Sequence, residues 1–194
     1  VDGVRIGLSM TLGNWPVDAE IVANTNAVAD ALRSAGAKVD DVELPWTLDR
    51  FWEAMRAHFA AIFGPGIGEI DAQHGDLLND YTRAFVATMN PDMTFYEGLV
   101  EETALWDPLG RLFEEIDVLL CPTAATPAFP QNQKGERWER MVMVNGKPQP
   151  STTQMFWAGF PGMAFLPSTI APAGFSTEGL PIGVQIVGPQ YGDL

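Results

Sequence analysis

The sequence predicts an α/β fold in which a mixed, twisted β-sheet is flanked by helices. A strand–helix–strand pattern opens the chain between Val4 and Leu44, and short apolar runs recur at Ile116–Cys121, where Asp117 is the one charged residue, and at Ile182–Val187, which is uncharged. Short runs of this kind, bounded by Gly and Pro, are typical of strands that are buried on both faces. Helical patterns lie between these runs, which favours a layered architecture in which helices cover the sheet.

The opening unit is a strand, a helix and a second strand. Val4–Leu8 predicts the first strand, and Asp18–Ala35 predicts a helix because apolar side chains recur on one stripe and Gly36 follows as a C-terminal stop. Val39–Leu44 alternates apolar and acidic residues and ends at Pro45, which predicts a strand with one solvated face near a sheet edge. We expect the two strands to be parallel, with a right-handed crossover.

Helical patterns dominate the middle of the chain. We expect helices over Trp46–Phe63, Asp80–Met89 and Thr94–Glu115. The Gly and Pro cluster at Gly64–Gly68 predicts a loop or hinge after the first of them. Pro108 predicts a kink in the last helix or a helix start.

The last third of the chain predicts a hairpin and a further buried strand. Met141–Val144 runs into Asn145–Gly146, which is a strong type I′ turn signal, and Lys147–Gln149 forms the return strand. Met163–Leu166 predicts a buried strand, followed by a loop over Ala171–Gly179. The predicted linker, Gln131–Glu139, precedes the hairpin.

Two residues within the predicted Ile182–Val187 strand carry specific expectations. Gly183 lacks a side chain, which usually marks the close approach of another backbone or of a ligand. Gln185 is the only polar side chain in this strand. If both faces of the strand are covered, the amide of Gln185 needs hydrogen-bond partners inside the protein.

The composition of the chain indicates which kinds of binding partner and which cellular location to expect. The chain has 194 residues and a formal net charge of −14, so its surface repels phosphate backbones, and we expect no direct contact with nucleic acid. No apolar run reaches transmembrane length, so we expect no membrane association. A single cysteine, Cys121, excludes an internal disulfide and fits a cytoplasmic location.

Because the chain starts at Val1 directly before a strand and stops at Leu194 just after one, we expect both ends to be cuts within a longer protein.

The sequence alone identifies no catalytic residue, metal site or cofactor site. Ser176 comes closest to a nucleophile, but its neighbours do not fit the spacing of a nucleophile elbow. His58 lies on an apolar helical stripe, which favours packing over a catalytic or ligand role, because no second His or carboxylate is spaced to join it. We interpret four acidic residues as part of a solvated helix face: Glu97, Glu101, Glu102 and Asp107.

Three segments of the chain carry a resemblance to a known family. Gly159–Gly162, a Pro-Ala-Gly loop and then Gly179–Gly188 resemble the C-terminal core of the amidase signature family. Asp117–Thr123 resembles a second family segment, and Val4–Pro45 is similar to the strand–helix–strand that precedes it. The resemblance implies that residues 1–194 are the C-terminal part of a single amidase domain, whose Ser–Ser–Lys catalytic set lies in an N-terminal half outside this chain.

The resemblance also implies a set of substrate-binding residues. In the family, the segment before Gly159 and the loop after Leu120 flank the substrate cleft. The implied set contains two residues at the end of a predicted strand and three aromatic residues next to Gly and Pro. Ligand pockets are often lined by apolar and aromatic side chains of this kind. The set is Cys121, Pro122, Phe156, Trp157 and Phe160. Spacing alone also fits an ordinary core for these residues, and Cys121 suits a core or pocket wall better than a nucleophile. Trp157 stands where family members often have Asn, which changes the size and polarity of the expected pocket.

The activity implied by the resemblance is hydrolysis of a small carboxylic amide to an acid and ammonia or an amine. One alternative is the amidase subunit of a glutamine-dependent tRNA amidotransferase, and another is a non-enzymatic binding module. The expected partners are the amide substrate and the N-terminal half of the same protein, with a homodimer left open. No cofactor is implied.

Overall fold

The computed structural model describes residues 1–45, 47–87, 89, 92–130 and 140–193. The predicted linker, Gln131–Glu139, lies outside these residues. The strands are β1 (Arg5–Leu8), β2 (Lys38–Asp41), β3 (Val118–Pro122), β4 (Met141–Val144), β5 (Lys147–Pro150), β6 (Ser168–Phe175) and β7 (Pro181–Val187). The helices are α1 (Ala19–Ser34), α2 (Leu48–His74), α3 (Asp80–Val86), α4 (Phe95–Glu115) and α5 (Thr153–Met163), with a short 3₁₀ turn at Gly75–Leu77.

A five-stranded mixed sheet with the order β2-β1-β3-β7-β6 forms the centre of the fold. β1 is parallel to both β2 and β3, whereas β7 is antiparallel to β3 and β6. The predicted mixed sheet, the parallel first pair and the edge position of the second strand are therefore confirmed. That second strand is shorter than predicted, because its pairing ends at Asp41 rather than at Leu44.

Both faces of the sheet are covered, and the alternation along β3 shows how. Leu119 and Cys121 belong to the core cluster beneath α2, α4 and α5, while Leu120 belongs to the opposite cluster beneath α1. Successive side chains of a strand point to opposite faces, so this strand has no solvated side. None of the helices in the described residues combines the length and the apolar character needed to cross a bilayer.

The N-terminus of α1 is tied to the β4–β5 hairpin. Asp18 caps the helix by accepting a hydrogen bond from the Glu20 N–H at 3.0 Å. Asn145 accepts one from the Ala19 N–H at 2.9 Å, and its own N–H donates to Asp18 at 3.1 Å. Asn145 and Gly146 have φ values of 50° and 74°, as a type I′ turn requires, so the predicted hairpin is confirmed.

The prediction of a loop at Gly64–Gly68 is wrong, because α2 continues through these residues to His74. The helix packs closely on α4 at an earlier turn: a Cβ on Gly98 would lie 2.7 Å from the Cβ of Ala61 and 3.3 Å from the carbonyl oxygen of Ala57. The α2 residues after Ala60 are half-buried or exposed, so this packing does not explain why the helix continues through the Gly and Pro cluster. Pro108 lies inside α4, so of its two predicted positions the helix start is excluded.

The prediction of a strand at Met163–Leu166 is also wrong. Met163 ends α5, and the next residues turn through hydrogen bonds from the Ala164 N–H to the Phe160 carbonyl and from the Leu166 N–H to the Pro161 carbonyl. A short buried apolar run does not distinguish a strand from a helix by periodicity alone. The strand β6 begins after this turn, at Ser168. It includes Ala171–Phe175, which were predicted as part of a loop but pair with β7.

Candidate functional site

Gln185 on β7 joins the two elements that carry the predicted site residues, β3 and α5. The side chain is 1% exposed, in the middle of β7. Its Nε2 donates to the Trp157 carbonyl on α5 at 3.1 Å and to the Cys121 sulfur on β3 at 3.4 Å. The expectation that this amide needs internal partners is confirmed, and the contact holds α5 against the centre of the sheet.

Trp157 and Phe160 lie in an aromatic core instead of facing an open cleft. They are 0% and 1% exposed, and the Trp157 ring packs edge-on against Trp15 at a centroid distance of 5.2 Å. Trp15 also packs on Phe51 of α2 at 4.8 Å. Because Trp15 and Phe51 pack over α5, Trp157 and Phe160 face the core of the described residues, as the alternative of an ordinary core expects. Their part in substrate binding stays a prediction.

Cys121 and Pro122 end β3 and are both buried. Burial raises the pKa of the Cys121 thiol to about 12, and the weaker hydrogen bond from Gln185 only partly opposes this shift. A thiol with so high a pKa is protonated at neutral pH, so it is a poor nucleophile. The burial of Cys121 agrees with the expectation from the sequence that it packs in the core or in a pocket wall and does not act as a nucleophile.

Phe156 is a predicted site residue that lines an open cleft. This cleft between α2 and α5, called the α2–α5 cleft below, has a volume of about 480 Å³. Apolar and aromatic groups dominate its lining, which consists of Trp52, Met55, His58, Phe59, Phe63, Phe85, Thr152, Phe156, Gly159, Gly162 and Met163.

His58 and Glu102 form a buried pair at the edge of this cleft, which contradicts the expectation that Glu102 is solvated and gives the partly buried His58 a carboxylate partner. Nδ1 of His58 contacts the Glu102 carboxylate, and the two side chains are 15% and 2% exposed. Glu102 is therefore not part of a solvated face. The two residues lie 44 positions apart, on α2 and α4, so no local spacing could reveal the pair. The second oxygen of Glu102 has no hydrogen-bond partner among the described residues.

The other three of the four acidic residues predicted on a solvated face do lie towards solvent. Glu97 forms the capping box with Thr94, which lowers the pKa of the Glu97 carboxyl through hydrogen bonds from the Thr94 backbone and side chain. Glu101 pairs with Arg50 at 2.5 Å. Asp107 pairs with Arg111 at 2.8 Å, one turn along the helix. Within the ranges that the structure describes, no three His, Cys, Asp or Glu side chains come together as metal ligands.

Comparison with known proteins places this geometry in a family. The family model described as Amidase matches residues 1–194. Among curated proteins, a glutamyl-tRNA(Gln) amidotransferase subunit of Thermosynechococcus vestitus is 27% identical over 211 residues, which is 96% of this chain and 42% of that protein. The chain thus spans less than half the length of this relative.

Solved structures show the same fold. A bacterial aryl acylamidase of the amidase signature enzymes family superposes with a TM-score of 0.75 at 22% identity, covering 100% of this chain and 41% of that one. A second structure, described as an amidase, gives a TM-score of 0.82 at 18% identity, over 100% of this chain and 43% of the other. The family match over the whole chain and this shared fold agree, and the chain belongs to the amidase signature family.

Proposed function

We propose that the complete protein hydrolyses a small carboxylic amide to an acid and ammonia or an amine. One observation carries the proposal: the family match extends over residues 1–194, and members of this family are amide hydrolases. We propose further that this chain is the C-terminal part of one amidase domain, because it spans 42% of its relative from Thermosynechococcus vestitus. The nucleophile and its base then belong to the rest of the protein.

The chain's own contribution is a rigid wall beside the substrate. Gln185 fixes α5 to the sheet through its 3.1 Å bond to the Trp157 carbonyl. Trp157, Phe160, Cys121 and Pro122 are proposed to shape that wall from within. Phe156 is the member proposed to touch substrate directly, since it lines the α2–α5 cleft.

Ammonia release from the complete protein tests this function. Purified protein is incubated with a series of aliphatic and aromatic amides, and free ammonia is quantified. Turnover is expected with at least one amide, and it should disappear when the serines of the Gly/Ser-rich segment that we expect upstream are changed to alanine. If that segment is missing from the complete protein, or no amide is turned over, the enzyme proposal fails and a non-enzymatic binding module is the better interpretation.

A second candidate is the amidase subunit of a tRNA-dependent amidotransferase. It is favoured by the curated relatives from Thermosynechococcus vestitus and Methylococcus capsulatus, which are 27% and 26% identical and are both named as a glutamyl-tRNA(Gln) amidotransferase subunit. The net charge of −14 makes direct tRNA binding unfavourable, so tRNA contact would depend on another subunit. Release of ammonia from glutamine, stimulated by charged tRNA and that subunit, would support this candidate over the first.

A further inference from the structure

The β4–β5 hairpin has two outer edges, and its register shows which backbone groups each edge presents. Because a two-residue turn closes the hairpin, the residues next to the turn, Val144 and Lys147, exchange hydrogen bonds, and every second pair after them does the same. The bond from the Ser151 N–H to the Arg140 carbonyl at 2.8 Å agrees with this alternation. The residues whose backbone groups point outwards are therefore Met141 and Met143 on β4, and Pro148 and Pro150 on β5.

The two edges differ in what they offer to another strand. Proline has no N–H, so Pro148 and Pro150 remove the donors from the outer edge of β5. Prolines on an edge strand protect it against pairing with another chain. On β4, the N–H and C=O groups of Met141 and Met143 are present, and they have no hydrogen-bond partner among the described residues. Within this hairpin, β4 is the edge that can accept a further strand.

A groove with a volume of about 500 Å³ runs along this edge of β4. The consecutive residues Met141–Met143 line it, together with the segment Thr126–Pro130 that follows β3. Successive side chains of a strand point to opposite faces, so a lining of three consecutive residues indicates that the strand edge itself faces the groove. This groove, called the β4 groove below, contains none of the residues that line the α2–α5 cleft and none of the predicted substrate-binding set.

Large apolar side chains are exposed in the β4 groove. Met141, Met143 and Phe129 are 46%, 58% and 42% exposed, whereas Val142 between the two methionines is buried. Exposed apolar groups that are gathered at one place and rimmed by polar residues mark interaction sites. Methionine is flexible and polarisable, which suits it to contacts with a partner chain.

The charged side chains that line the β4 groove are all acidic. They are Asp18 and Glu20 at the start of α1 and Glu178 in the loop before β7, and no Lys, Arg or His belongs to the described lining. Asp18 and Glu20 accept hydrogen bonds from the chain, including one from the Thr177 hydroxyl to Glu20, but no cation pairs with them among the described residues. A basic partner complements this charge, whereas a second copy of a chain with a net charge of −14 is repelled.

We propose that the β4 groove binds an extended basic segment of another protein, which adds a strand to the open edge of β4. Main-chain hydrogen bonds to Met141 and Met143 hold the segment, as in other cases of strand addition. Its apolar side chains lie beside the two methionines and Phe129, and its Lys or Arg side chains reach the carboxylates. This inference does not depend on amide hydrolysis, so it can fail or succeed apart from the proposed function.

Peptide binding to the complete protein tests strand addition. The probe is the peptide SVKVKVS with a fluorophore at its N-terminus, and binding is followed by fluorescence anisotropy. Neighbouring residues of a strand point their N–H groups to opposite edges, so N-methylation of two valines and N-methylation of both lysines block different edges of the peptide. We expect one N-methylated peptide to bind like the parent and the other to bind about tenfold more weakly or less. Equal binding or equal loss for the two peptides contradicts strand addition.

The open edge of the protein is tested at Met143. M143P removes the outward N–H, as Pro148 does on the opposite strand, and M143A is the control that shortens the side chain but keeps the N–H. We expect M143P to bind SVKVKVS about fivefold more weakly than M143A, the scale of one hydrogen bond. Equal binding by the two variants would show that the edge of β4 does not pair with the peptide.

The basic character of the partner is tested at Glu178, which is exposed. E178K should weaken binding of SVKVKVS about fivefold, since it replaces one exposed ion pair by a repulsion. D40K makes the same change in net charge at an exposed residue of β2 outside the groove, so it should have little effect. Equal weakening by E178K and D40K, or equal binding of SVEVEVS and SVKVKVS to the wild type, contradicts a basic partner.

Two further outcomes identify a different occupant of the groove. If SVKVKVS does not bind to the complete protein, as when the rest of that protein already fills the groove, the proposal is overturned. If sedimentation equilibrium shows a dimer that M143P alone dissociates, the edge belongs to a second copy, which also overturns it. Binding of SVKVKVS that depends on one peptide edge, on the Met143 N–H and on Glu178 supports the proposal even if no amide is ever hydrolysed.

Discussion

Gln185 illustrates what can be predicted for one residue and what cannot. A single amide in a strand covered on both faces must find partners inside the protein, and the structure confirms this with bonds to the Trp157 carbonyl and the Cys121 sulfur. The identity of those partners depends on the packing of α5, because they lie 28 and 64 positions away. Local sequence patterns therefore predict that Gln185 needs hydrogen-bond partners, but they do not predict which residues provide them.

Replacing Gln185 with Met should destabilise the chain by about 1–3 kcal/mol, because the buried Trp157 carbonyl loses its donor while the volume is retained. Urea unfolding followed by circular dichroism measures the change. Gln190→Met is the matched control, since Gln190 is exposed and a surface change of this kind stays within about 0.5 kcal/mol. Equal stability of the two variants would show that the hydrogen bond does not hold α5 in place.

The Cys121 thiol should resist alkylation in the native state. Its pKa of about 12 in the fold, raised from an ordinary value of 9.0, keeps it protonated at pH 9, and it is buried. Iodoacetamide labelling, read by mass spectrometry, should be fast in urea and slow without it. Labelling of the native chain as fast as of the unfolded chain would contradict this account.

The pKa of Cys121 also makes stability depend on pH. Because the folded pKa lies above the unfolded one, the stability that this thiol contributes is intact below pH 9 and is lost as the pH rises towards 12.

At the scale of elements, the sequence predicts α1, β1, β3, the hairpin and β7 because each has its own local signal. Asp18 and Gly36 mark the ends of the first helix, and Asn145–Gly146 marks the turn. The errors fall where the local signal does not decide the structure. The Gly and Pro cluster at Gly64–Gly68 predicts a break, yet α2 continues through it although these residues are half-buried or exposed. The apolar run that ends α5 fits a buried helix as well as a strand.

The close approach of α2 and α4 gives a prediction with an internal control. Gly98→Ala should destabilise the chain by about 1–3 kcal/mol, because the new Cβ would lie 2.7 Å from that of Ala61 and force the helices apart. Gly110→Ala on the same helix meets no atom within 4 Å and should stabilise it by up to about 1 kcal/mol. Urea midpoints that shift in the same direction for both variants would contradict the close packing.

At the scale of the whole molecule, the layered architecture follows from the order of its elements, but the site does not. The mixed sheet was predictable because strands and helices alternate with clear boundaries. The His58–Glu102 pair was not, since it joins α2 to α4 across 44 residues, and each member alone fits a more ordinary role. The burial of Trp157 was not predictable either, because the Trp15 ring that covers it comes from a distant loop.

The central proposal is that this chain supplies one part of an amidase whose catalytic groups lie elsewhere in the same protein. Residues 1–194 and the preceding part of the protein are produced separately, freed of host amidases, and assayed for ammonia release alone and after mixing. We expect neither part alone to turn over any amide and the mixture to regain activity, because the members of a nucleophile–base unit act together and the substrate wall is needed beside them. Turnover by residues 1–194 alone that persists through repurification and disappears with Cys121→Ala would contradict the account, since it would make Cys121 the nucleophile.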